Sequence, residues 1–217
     1  MAKGKKGRGL NRRSAYRTEK RMFHIYTEGE RTEKDYIRLL KQIDRVSESA
    51  VLRLKASVPQ PLRLVQRAAR DLERLDRDEA RDQVWCIFDV ESSNEPNEPN
   101  KCKNLLEARN LARKNGIKVA TSNPCFELWL VLHFQDHTKP VSTSDIQKVR
   151  HGCDGSTGKE VNAAQYMDVQ RMDEAVARAK RLQERHRREQ RPFPDDNPSS
   201  GMYLFLEAIG YQGEPKA

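Results

Sequence analysis

FHIYTEGERTEKDYI, residues 23–37, begins like a buried strand and ends like an amphipathic helix. Apolar residues dominate 22–27, which predicts a strand, and those that follow recur at helical spacing over about 31–43. Glu28 and Glu30 stand between the two elements, where a short connecting turn is expected. Carboxylates at this position either complement the positive end of the helix or face a crevice and do chemistry there.

Strand and helix patterns alternate along the chain as far as about residue 121. Helices between consecutive strands are typical of βαβ units and a parallel sheet. Right-handed crossovers place helices on both faces, and a doubly wound sheet of this kind has the strand order 2-1-3-4. We therefore predict an α/β, Rossmann-like fold with a four-stranded parallel sheet. Its strands are expected at 22–27, 51–58, 84–89 and 117–121, and its helices at 31–43, at 61–76 and in a segment that ends at Gly116.

The chain changes character after the fourth strand, where a polar segment that contains glycine precedes further helical patterns. A short helix over about 142–151, a long charged helix over 164–190 and a final apolar helix are predicted. We interpret 136–217 as a helical extension that packs on an α/β core of residues 22–135, and not as an independent domain.

The formal net charge of +9 is concentrated at the N-terminus. Residues 1–21 hold nine Lys and Arg residues and a single acid, a net charge of +8, so the other residues together carry about +1. Basic arms of this kind often neutralise nucleic-acid phosphates. We therefore expect a flexible basic arm that binds nucleic acid or, alternatively, only keeps the protein in solution.

The cysteines and the apolar runs indicate the compartment. The four cysteines are scattered without a CxxC pair, which argues against a zinc site and a disulfide framework. No stretch approaches the roughly 18 to 20 apolar residues of a membrane span. The basic N-terminus is not followed by the apolar core of a secretory signal. We therefore expect a cytoplasmic protein without a membrane segment.

Carboxylates follow two strands that are expected to be neighbours. Glu28 follows the first strand, and Asp89 and Glu91 follow the third. Ligands of a doubly wound sheet bind outside the carboxyl ends of these strands, so the three carboxylates are expected to share one crevice. Residues two apart in an extended chain point to the same side, so Asp89 and Glu91 can reach one ion. Mg²⁺ or Mn²⁺ suits such a set together with substrate phosphates.

The roles of these residues are open to more than one interpretation. Asp89 could cap a turn, whereas Glu28 could be a further metal ligand or a general acid or base for phosphodiester cleavage. Glu30 and Glu33 lie in the first turn of the following helix and are expected only to complement its dipole. Lys159 could meet a scissile phosphate as a point charge or be an ordinary exposed lysine.

A mostly apolar helix is predicted after the fourth strand. Ser122 or Asn123 is expected to be its N-cap and Pro124 its first residue. Glu127 stands among apolar residues of this helix, where it either closes a capping box or contributes a further acid to the crevice. His133 is expected to be a core histidine that makes its hydrogen bonds internally.

Three segments stand out together: TEGERTEKDYI (27–37), the apolar strand that ends in the acidic pair at 89 and 91, and SNPCFELWLVLHF (122–134). With Lys159 and DDNPSSGMYLFLEAI (195–209), they resemble the RloB-like family, which includes the abortive-infection protein AbiLii. The resemblance covers most of the chain.

This resemblance implies a Toprim-like domain over 22–135, in which a glutamate after the first strand and an acidic pair after the third surround Mg²⁺. Carried over to this sequence, they are Glu28 and the pair Asp89 and Glu91. Glu91 departs from the family pattern, which has aspartate at that position. Toprim domains carry out phosphodiester chemistry, and the family is associated with phage-defence loci, commonly beside an AAA-type ATPase.

Three functions are compatible with these observations. The first is a Mg²⁺-dependent nuclease of DNA or RNA, tRNA included, that acts in phage defence under the control of a partner ATPase. Its catalytic candidates are Glu28, Asp89, Glu91, Glu127 and Lys159. The second is a non-catalytic scaffold of a defence complex that binds a partner or nucleic acid. The third is transfer of a nucleotide to a protein or RNA, and a homo-oligomer is compatible with all three.

Overall fold

A five-stranded, mostly parallel sheet forms the centre of the protein. The structure is a computed structural model that describes residues 20–75, 82–91 and 99–211, and of residues 99–103 it describes only the backbone. The strand order along the sheet is β2-β1-β3-β4-β5. The strands are β1 (Arg21–Thr27), β2 (Ala50–Leu54), β3 (Gln83–Asp89), β4 (Lys118–Asn123) and β5 (Ser199–Ser200).

The first four strands confirm the predicted α/β fold. β1 pairs in parallel with β2 and β3, and β3 pairs in parallel with β4, which is the predicted order 2-1-3-4. β5 was not predicted; it consists of two serines that pair antiparallel with the end of β4. A strand of two residues has no periodicity to reveal it, and it forms because a distant part of the chain passes along the edge of β4.

The described residues form nine helices around the sheet. They are α1 (Thr32–Leu40), α2 (Asp44–Ser49), α3 (Pro61–Leu72), α4 (Pro99–Lys114), α5 (Phe126–Leu132), α6 (Thr143–Asp154), α7 (Ala163–Tyr166), α8 (Val169–Arg188) and α9 (Met202–Ala208). Some of them begin with the expected signals: Pro61 is the first residue of α3, and the Ser142 side chain accepts a hydrogen bond from Asp145 N–H at the start of α6.

The helices cover both faces of the sheet and form two hydrophobic cores. Along β3, Trp85 and Ile87 belong to one core, whereas Cys86 and Phe88 belong to the other. Successive side chains of a strand point to opposite faces, so both faces of β3 are covered, as its unbroken apolar run predicts. The first core also contains residues of α1, α5, α8 and α9, and the second contains residues of α3 and α4.

The elements of the predicted extension, 136–217, pack into the first of these cores. Met172 of α8 and Phe205 of α9 are fully buried there. Phe205 packs edge-on against Trp85 of β3, with ring centroids 5.3 Å apart. Because β5 also joins the sheet, this part of the chain contributes a strand as well as helices.

Two predicted helices differ in extent from the observed ones. The helix predicted over 31–43 ends at Leu40, and α2 follows as a separate helix. The long helix predicted over 164–190 is divided into α7 and α8. Its interruption has a local cause, because the Asp168 side chain caps α8 by accepting a hydrogen bond from Arg171 N–H at 2.9 Å.

The start of α5 also differs from the prediction. Ser122 and Asn123 are not its N-cap, because both belong to β4 and pair with β5. Pro124 is not its first residue either, since the helix begins at Phe126 with Cys125 in the N-cap position. β4 therefore ends two residues later than predicted, and α5 begins two residues later.

Two expectations concern the ends and the environment of the chain. Residues 1–19 of the predicted basic arm lie outside the described residues. Within the described ranges, no helix is both long and apolar enough to cross a bilayer.

Candidate active site

A cavity of about 180 Å³ lies at the carboxyl ends of β1 and β3, and it is called the acidic cavity below. β1 and β3 are neighbours, and Thr27 at the end of β1 pairs with Ile87, so the residues that follow both strands emerge at one edge. All the residues predicted as catalytic line this cavity, and their roles remain predictions. They are Glu28, Asp89, Glu91, Glu127 and Lys159.

Glu28 is held by backbone groups on both sides. Its N–H donates to Ile87 O at 3.0 Å. Its carboxylate accepts hydrogen bonds from Asp89 N–H (3.1 Å, to Oε2) and Gln60 N–H (3.2 Å, to Oε1). Burial, and to a lesser extent the charge of Glu91, raises the pKa of Glu28 to about 7 against the effect of these N–H groups. A carboxyl group with this pKa exchanges its proton near neutral pH, as a general acid or base must.

Asp89 is the last residue of β3, and its Oδ1 atom is buried without a hydrogen-bond partner among the described residues. Burial, and then the charges of Glu33, Glu127 and Glu28, raises the pKa of Asp89 well above its ordinary value. A hydrogen bond from Phe126 N–H, at the start of α5, opposes this shift. Asp89 thus makes one capping hydrogen bond and still keeps a buried oxygen without a partner.

Glu91 reaches the cavity by a backbone turn. Asp89 and Glu91 both line the cavity, as expected, but the chain between them is not extended, because the strand ends at Asp89 and Glu91 has a φ of 45°. This left-handed conformation costs a residue other than glycine about 1–2 kcal/mol. Two hydrogen bonds hold it, from Glu91 N–H to Pro124 O (2.7 Å) and from Val90 N–H to Ser122 O (2.9 Å).

Glu33 is a site residue that the sequence interpretation assigned only to the helix dipole. Its side chain is 5% exposed and lines the cavity, and its Oε1 accepts a hydrogen bond from Gly29 N–H at 3.0 Å. Burial, followed by the charge of Glu127, raises the pKa of Glu33, while Lys159 opposes the shift. The sequence feature that could have revealed this role of Glu33 is Gly29, four residues earlier, because a Cβ at Gly29 would collide with the Glu33 carboxylate.

Glu127 lies in the first turn of α5 and is 8% exposed. The capping-box alternative fails, because Cys125 is in the N-cap position and Glu127 is therefore one residue short of the position that such a box requires. Its Oε1 atom is 4.0 Å from Arg150 Nη1. Burial is the main cause of the raised pKa values of Asp89 and Glu33, and the charge of Glu127 raises them further. Glu127 therefore interacts electrostatically with both of these carboxylates.

Arg150 of α6 was not predicted, although it organises one wall of the cavity. It is 1% exposed and forms an ion pair with Asp154, with Nε 2.9 Å from Oδ2. Its guanidinium also donates to the carbonyls of Gly158 (3.1 Å) and Glu160, which flank Lys159. The i, i+4 relation to Asp154 is the only trace of this arrangement in the sequence, since the carbonyl partners lie in an irregular loop.

Lys159 is exposed, but its backbone is tied to the other side of the cavity. Its carbonyl accepts a hydrogen bond from Thr32 Oγ1, at the start of α1, at 3.3 Å. Of the described residues that line the cavity, Lys159 alone is cationic. The loop that carries it is thus held between α6 and α1, with a positive charge beside the carboxylates.

The chemistry of this lining fits a hard divalent cation. The carboxylates repel one another, and all of them offer oxygen, which Mg²⁺ and Mn²⁺ prefer. The unpartnered Oδ1 of Asp89 adds a buried ligand atom. Within the described residues, no group of three or more His, Cys, Asp or Glu side chains is arranged to hold a metal ion as it stands. Binding therefore requires these side chains to rearrange around the ion.

His133 is the core histidine that the sequence predicts. It is fully buried, with Nε2 3.2 Å from the Tyr36 hydroxyl and Nδ1 3.0 Å from Trp129 O. Burial lowers its pKa to about 4, so it is neutral near pH 7. Both ring nitrogens have partners inside the core, and His133 takes no part in the acidic cavity.

A family model described as RloB-like protein matches residues 23–209. This range includes the whole lining of the acidic cavity and agrees with the resemblance seen in the sequence motifs. No curated protein and no solved structure matches the chain.

Proposed function

Because the chain belongs to the RloB-like family, we propose that the acidic cavity is the active site of a divalent-metal-dependent, Toprim-like nuclease. The observation that carries the proposal is the convergence of Glu28, Asp89 and Glu91 on one cavity. Carboxylates that gather in one cavity, with Oδ1 of Asp89 buried among them, are costly unless a cation or a reaction uses them. Hydrolysis of phosphodiesters in DNA or RNA, tRNA included, is a reaction class that such a site supports.

The residues of the cavity divide into distinct roles. Asp89 and Glu91 would hold Mg²⁺ or Mn²⁺, which when bound supplies positive charge to a phosphate and lowers the pKa of water. Glu28 could share the ion, but both of its oxygens already accept backbone hydrogen bonds, which favours a role in carrying a proton. Lys159 contacts a phosphate oxygen as a point charge, and Glu127 is a further candidate acid.

We extend the proposal to phage defence by abortive infection, with an AAA-type ATPase partner that controls the nuclease. This part is supported by the family resemblance alone. An unregulated nuclease would damage the nucleic acids of its own cell, so control by a partner is expected. Cleavage that appears only after the partner ATPase is added to the purified chain would support it.

A metal titration with variants tests the enzymatic proposal. Mg²⁺ and Mn²⁺ are titrated into wild type, Asp89→Asn and Glu28→Gln, while thermal unfolding and cleavage of labelled tRNA and plasmid DNA are followed on the same samples. We expect metal-dependent stabilisation and cleavage in wild type and loss of both in Asp89→Asn. Glu28→Gln should keep the stabilisation but cleave about 100-fold or more slowly, because only proton transfer is removed.

Glu30→Gln is the matched control, because Glu30 is exposed and belongs to the same turn as Glu28. It should bind metal and cleave like wild type. Full cleavage activity in both Asp89→Asn and Glu28→Gln would contradict the proposal.

A non-catalytic scaffold is the second candidate, and one observation favours it. The carboxylates of Glu28 and Asp89 already satisfy the backbone N–H groups of Gln60, Asp89 and Phe126, as purely structural carboxylates do. On this view Asp89→Asn lowers the stability of the protein, metal has no effect, and no nucleic acid is cleaved with or without the ATPase.

A further inference from the structure

Three arginines line a groove on the exposed face of α3. Arg63, Arg67 and Arg70 follow one another at i, i+4 and i+7, so they share one side of the helix. Together with Val58 and Gln66 they line a cavity of about 330 Å³, which is called the arginine groove below. This groove is separate from the acidic cavity and played no part in the proposed function.

Two of these arginines lack a countercharge among the described residues. Arg67 forms an ion pair with Asp71, with Nε 2.9 Å from Oδ2, and Asp71 also accepts a hydrogen bond from the Tyr26 hydroxyl. Within the described part of the chain, Arg63 and Arg70 form no ion pair, and both are exposed. The groove therefore offers, at its ends, two guanidinium groups that no described carboxylate pairs with, and a third that is partly neutralised.

The loop at 55–60 separates the arginine groove from the acidic cavity. Val58 lines the groove, and its N–H donates to Thr27 O at the end of β1 at 3.3 Å. Gln60, immediately before α3, donates its N–H to the Glu28 carboxylate at 3.2 Å. The same short loop thus contacts the groove on one side and a residue of the acidic cavity on the other.

We infer that the arginine groove binds the phosphate backbone of a nucleic-acid strand that continues over this loop to the acidic cavity. Guanidinium groups pair with phosphates through two parallel hydrogen bonds, and a groove with several of them matches a row of phosphates better than a single anion. Arg63 and Arg70 are about 10 Å apart along the helix axis, the rise of about three nucleotides of one strand. The passage into the acidic cavity rests on the proposed nuclease function, whereas binding in the groove does not.

Binding without catalysis tests this inference. Fluorescence anisotropy of a labelled 20-nucleotide single-stranded RNA, and of the DNA of the same sequence, is measured at several salt concentrations with a chelator present. The full-length wild type is compared with the double variant Arg63→Gln/Arg70→Gln. The control is Arg181→Gln/Arg188→Gln, which removes two exposed arginines from α8, a helix that packs on the opposite face of the sheet.

We expect the groove variant to bind about tenfold or more weakly than wild type. The slope of log K against log salt should shrink by about 1.4, because each phosphate contact of a single strand contributes about 0.7. The control should keep the affinity and slope of wild type, and the thermal unfolding of both variants should match it. A preference between the RNA and the DNA would identify the sugar of the substrate.

Two outcomes overturn the inference: wild type that binds neither probe, and a groove variant that keeps the wild-type affinity and salt slope. The second would leave acidic protein segments as ligands of the groove. Failure of the nuclease proposal alone would give a different result from failure of this inference. The strand would still bind in chelator in a way that depends on the groove, but neither metal would produce cleavage. Conversely, metal-dependent cleavage with groove-independent binding would overturn this inference alone.

Discussion

The acidic cavity and the Arg150 cluster, formed by Arg150, Asp154 and Tyr166, both bury carboxylates, but they treat them in opposite ways. In the cluster, the side chains of Arg150 and Asp154 are 1% and 2% exposed and lie 2.9 Å apart. Burial acts to raise the pKa of Asp154, but hydrogen bonds from Ser156 and Tyr166 and the charge of Arg150 bring it below its ordinary value. Burial raises the pKa of Asp89, and neighbouring carboxylates increase the shift.

This difference shows that the fold can supply a countercharge to a buried carboxylate where one is needed for structure. A buried charge is tolerated when it is paired and hydrogen-bonded, as in the Arg150 cluster. The acidic cavity contains five carboxylates beside one lysine among its described lining residues. A group with more carboxylates than cations is a candidate for binding a cation from outside, because such a ligand supplies positive charge that the lining lacks.

The largest effect is expected for Arg150→Met, which leaves Asp154 buried without its cation. Loss of one partner from a buried ion pair costs about 3–5 kcal/mol, so the midpoint of urea unfolding should fall steeply. Arg38→Met is the control, since Arg38 pairs with Asp35 at 2.5 Å on the surface and exposed pairs contribute little. Equal effects of the two substitutions would show that the Arg150 cluster is not a compensated buried pair.

Metal should act on the acidic cavity alone. At a Mg²⁺ or Mn²⁺ concentration 100 times its Kd, binding to the folded state stabilises the protein by about 2.7 kcal/mol, which thermal unfolding detects. Asp89→Asn should abolish this stabilisation, because it removes the negative charge of the side chain. It also replaces one carboxylate oxygen, either the unpartnered Oδ1 or its neighbour Oδ2, with an amide nitrogen. Glu30→Gln, exposed in the turn after β1, should leave it unchanged. An undiminished metal effect in Asp89→Asn would place the ion elsewhere.

The contributions to stability of Glu28, in the acidic cavity, and of Asp154, in the Arg150 cluster, should change with pH in opposite directions. The pKa of Glu28 rises on folding from about 4.5 to about 7, chiefly through burial, so the folded state binds more protons and stability falls as pH rises across that interval. The contribution of Glu28 is on the order of 2 kcal/mol, discounted for its partial exposure. The pKa of Asp154 is lowered, so its contribution is lost as pH falls below about 3.8.

Urea unfolding between pH 3 and pH 8 measures both dependences. Glu28→Gln should flatten the decline between pH 4.5 and 7, and Asp154→Asn should flatten the decline in acid. Each variant serves as the control for the other. If Glu28→Gln leaves the slope near neutral pH as it is in wild type, the raised pKa belongs to another carboxyl group of the cavity.

The smallest effect is expected from a methyl group at Gly29. Gly29→Ala should lower stability by about 1 kcal/mol, because its Cβ displaces the Glu33 carboxylate and breaks the hydrogen bond to residue 29 N–H. Gly152→Ala is the matched control. Gly152 lies within α6, where an added Cβ meets nothing within 4 Å, so alanine should stabilise the helix by about 0.5–1 kcal/mol. Urea unfolding distinguishes the two signs, and stabilisation by Gly29→Ala would contradict the contact.

Much of the fold, and the positions of Glu28 and Asp89 at the carboxyl ends of β1 and β3, could be predicted from the sequence because the signals are local. Apolar runs and helical spacing mark β1 to β4 to within a few residues, and right-handed crossovers then limit the strand order. Once β1 and β3 are neighbours, acids that follow them emerge at one edge. This places Glu28 and Asp89 at one edge, whereas Glu91 also requires the turn at 90–91 that hydrogen bonds to Ser122 O and Pro124 O hold.

Arg150 and β5 escaped prediction because their partners are remote or irregular, and Glu33 because the acids that it meets in the cavity come from other elements. Glu33 has the ordinary appearance of an acid in a first helical turn, and Arg150 that of a polar residue on a solvated helix. Arg150 acquires its role only when the loop at 158–160 folds back on α6, and β5 forms only when its two serines reach the edge of β4.

The sequence alone determines the repeated pattern of a strand followed by acids, because periodicity and turn chemistry act over a few residues. The sequence alone does not determine the pKa values of those acids. The pKa of Glu28 or Asp89 depends on loss of water and on charges that approach from α1, from α5 and from the residues after β1 and β3. These effects arise only after packing has brought Glu28, Asp89 and Glu127 together, so the packed structure divides the carboxylates into compensated and uncompensated groups.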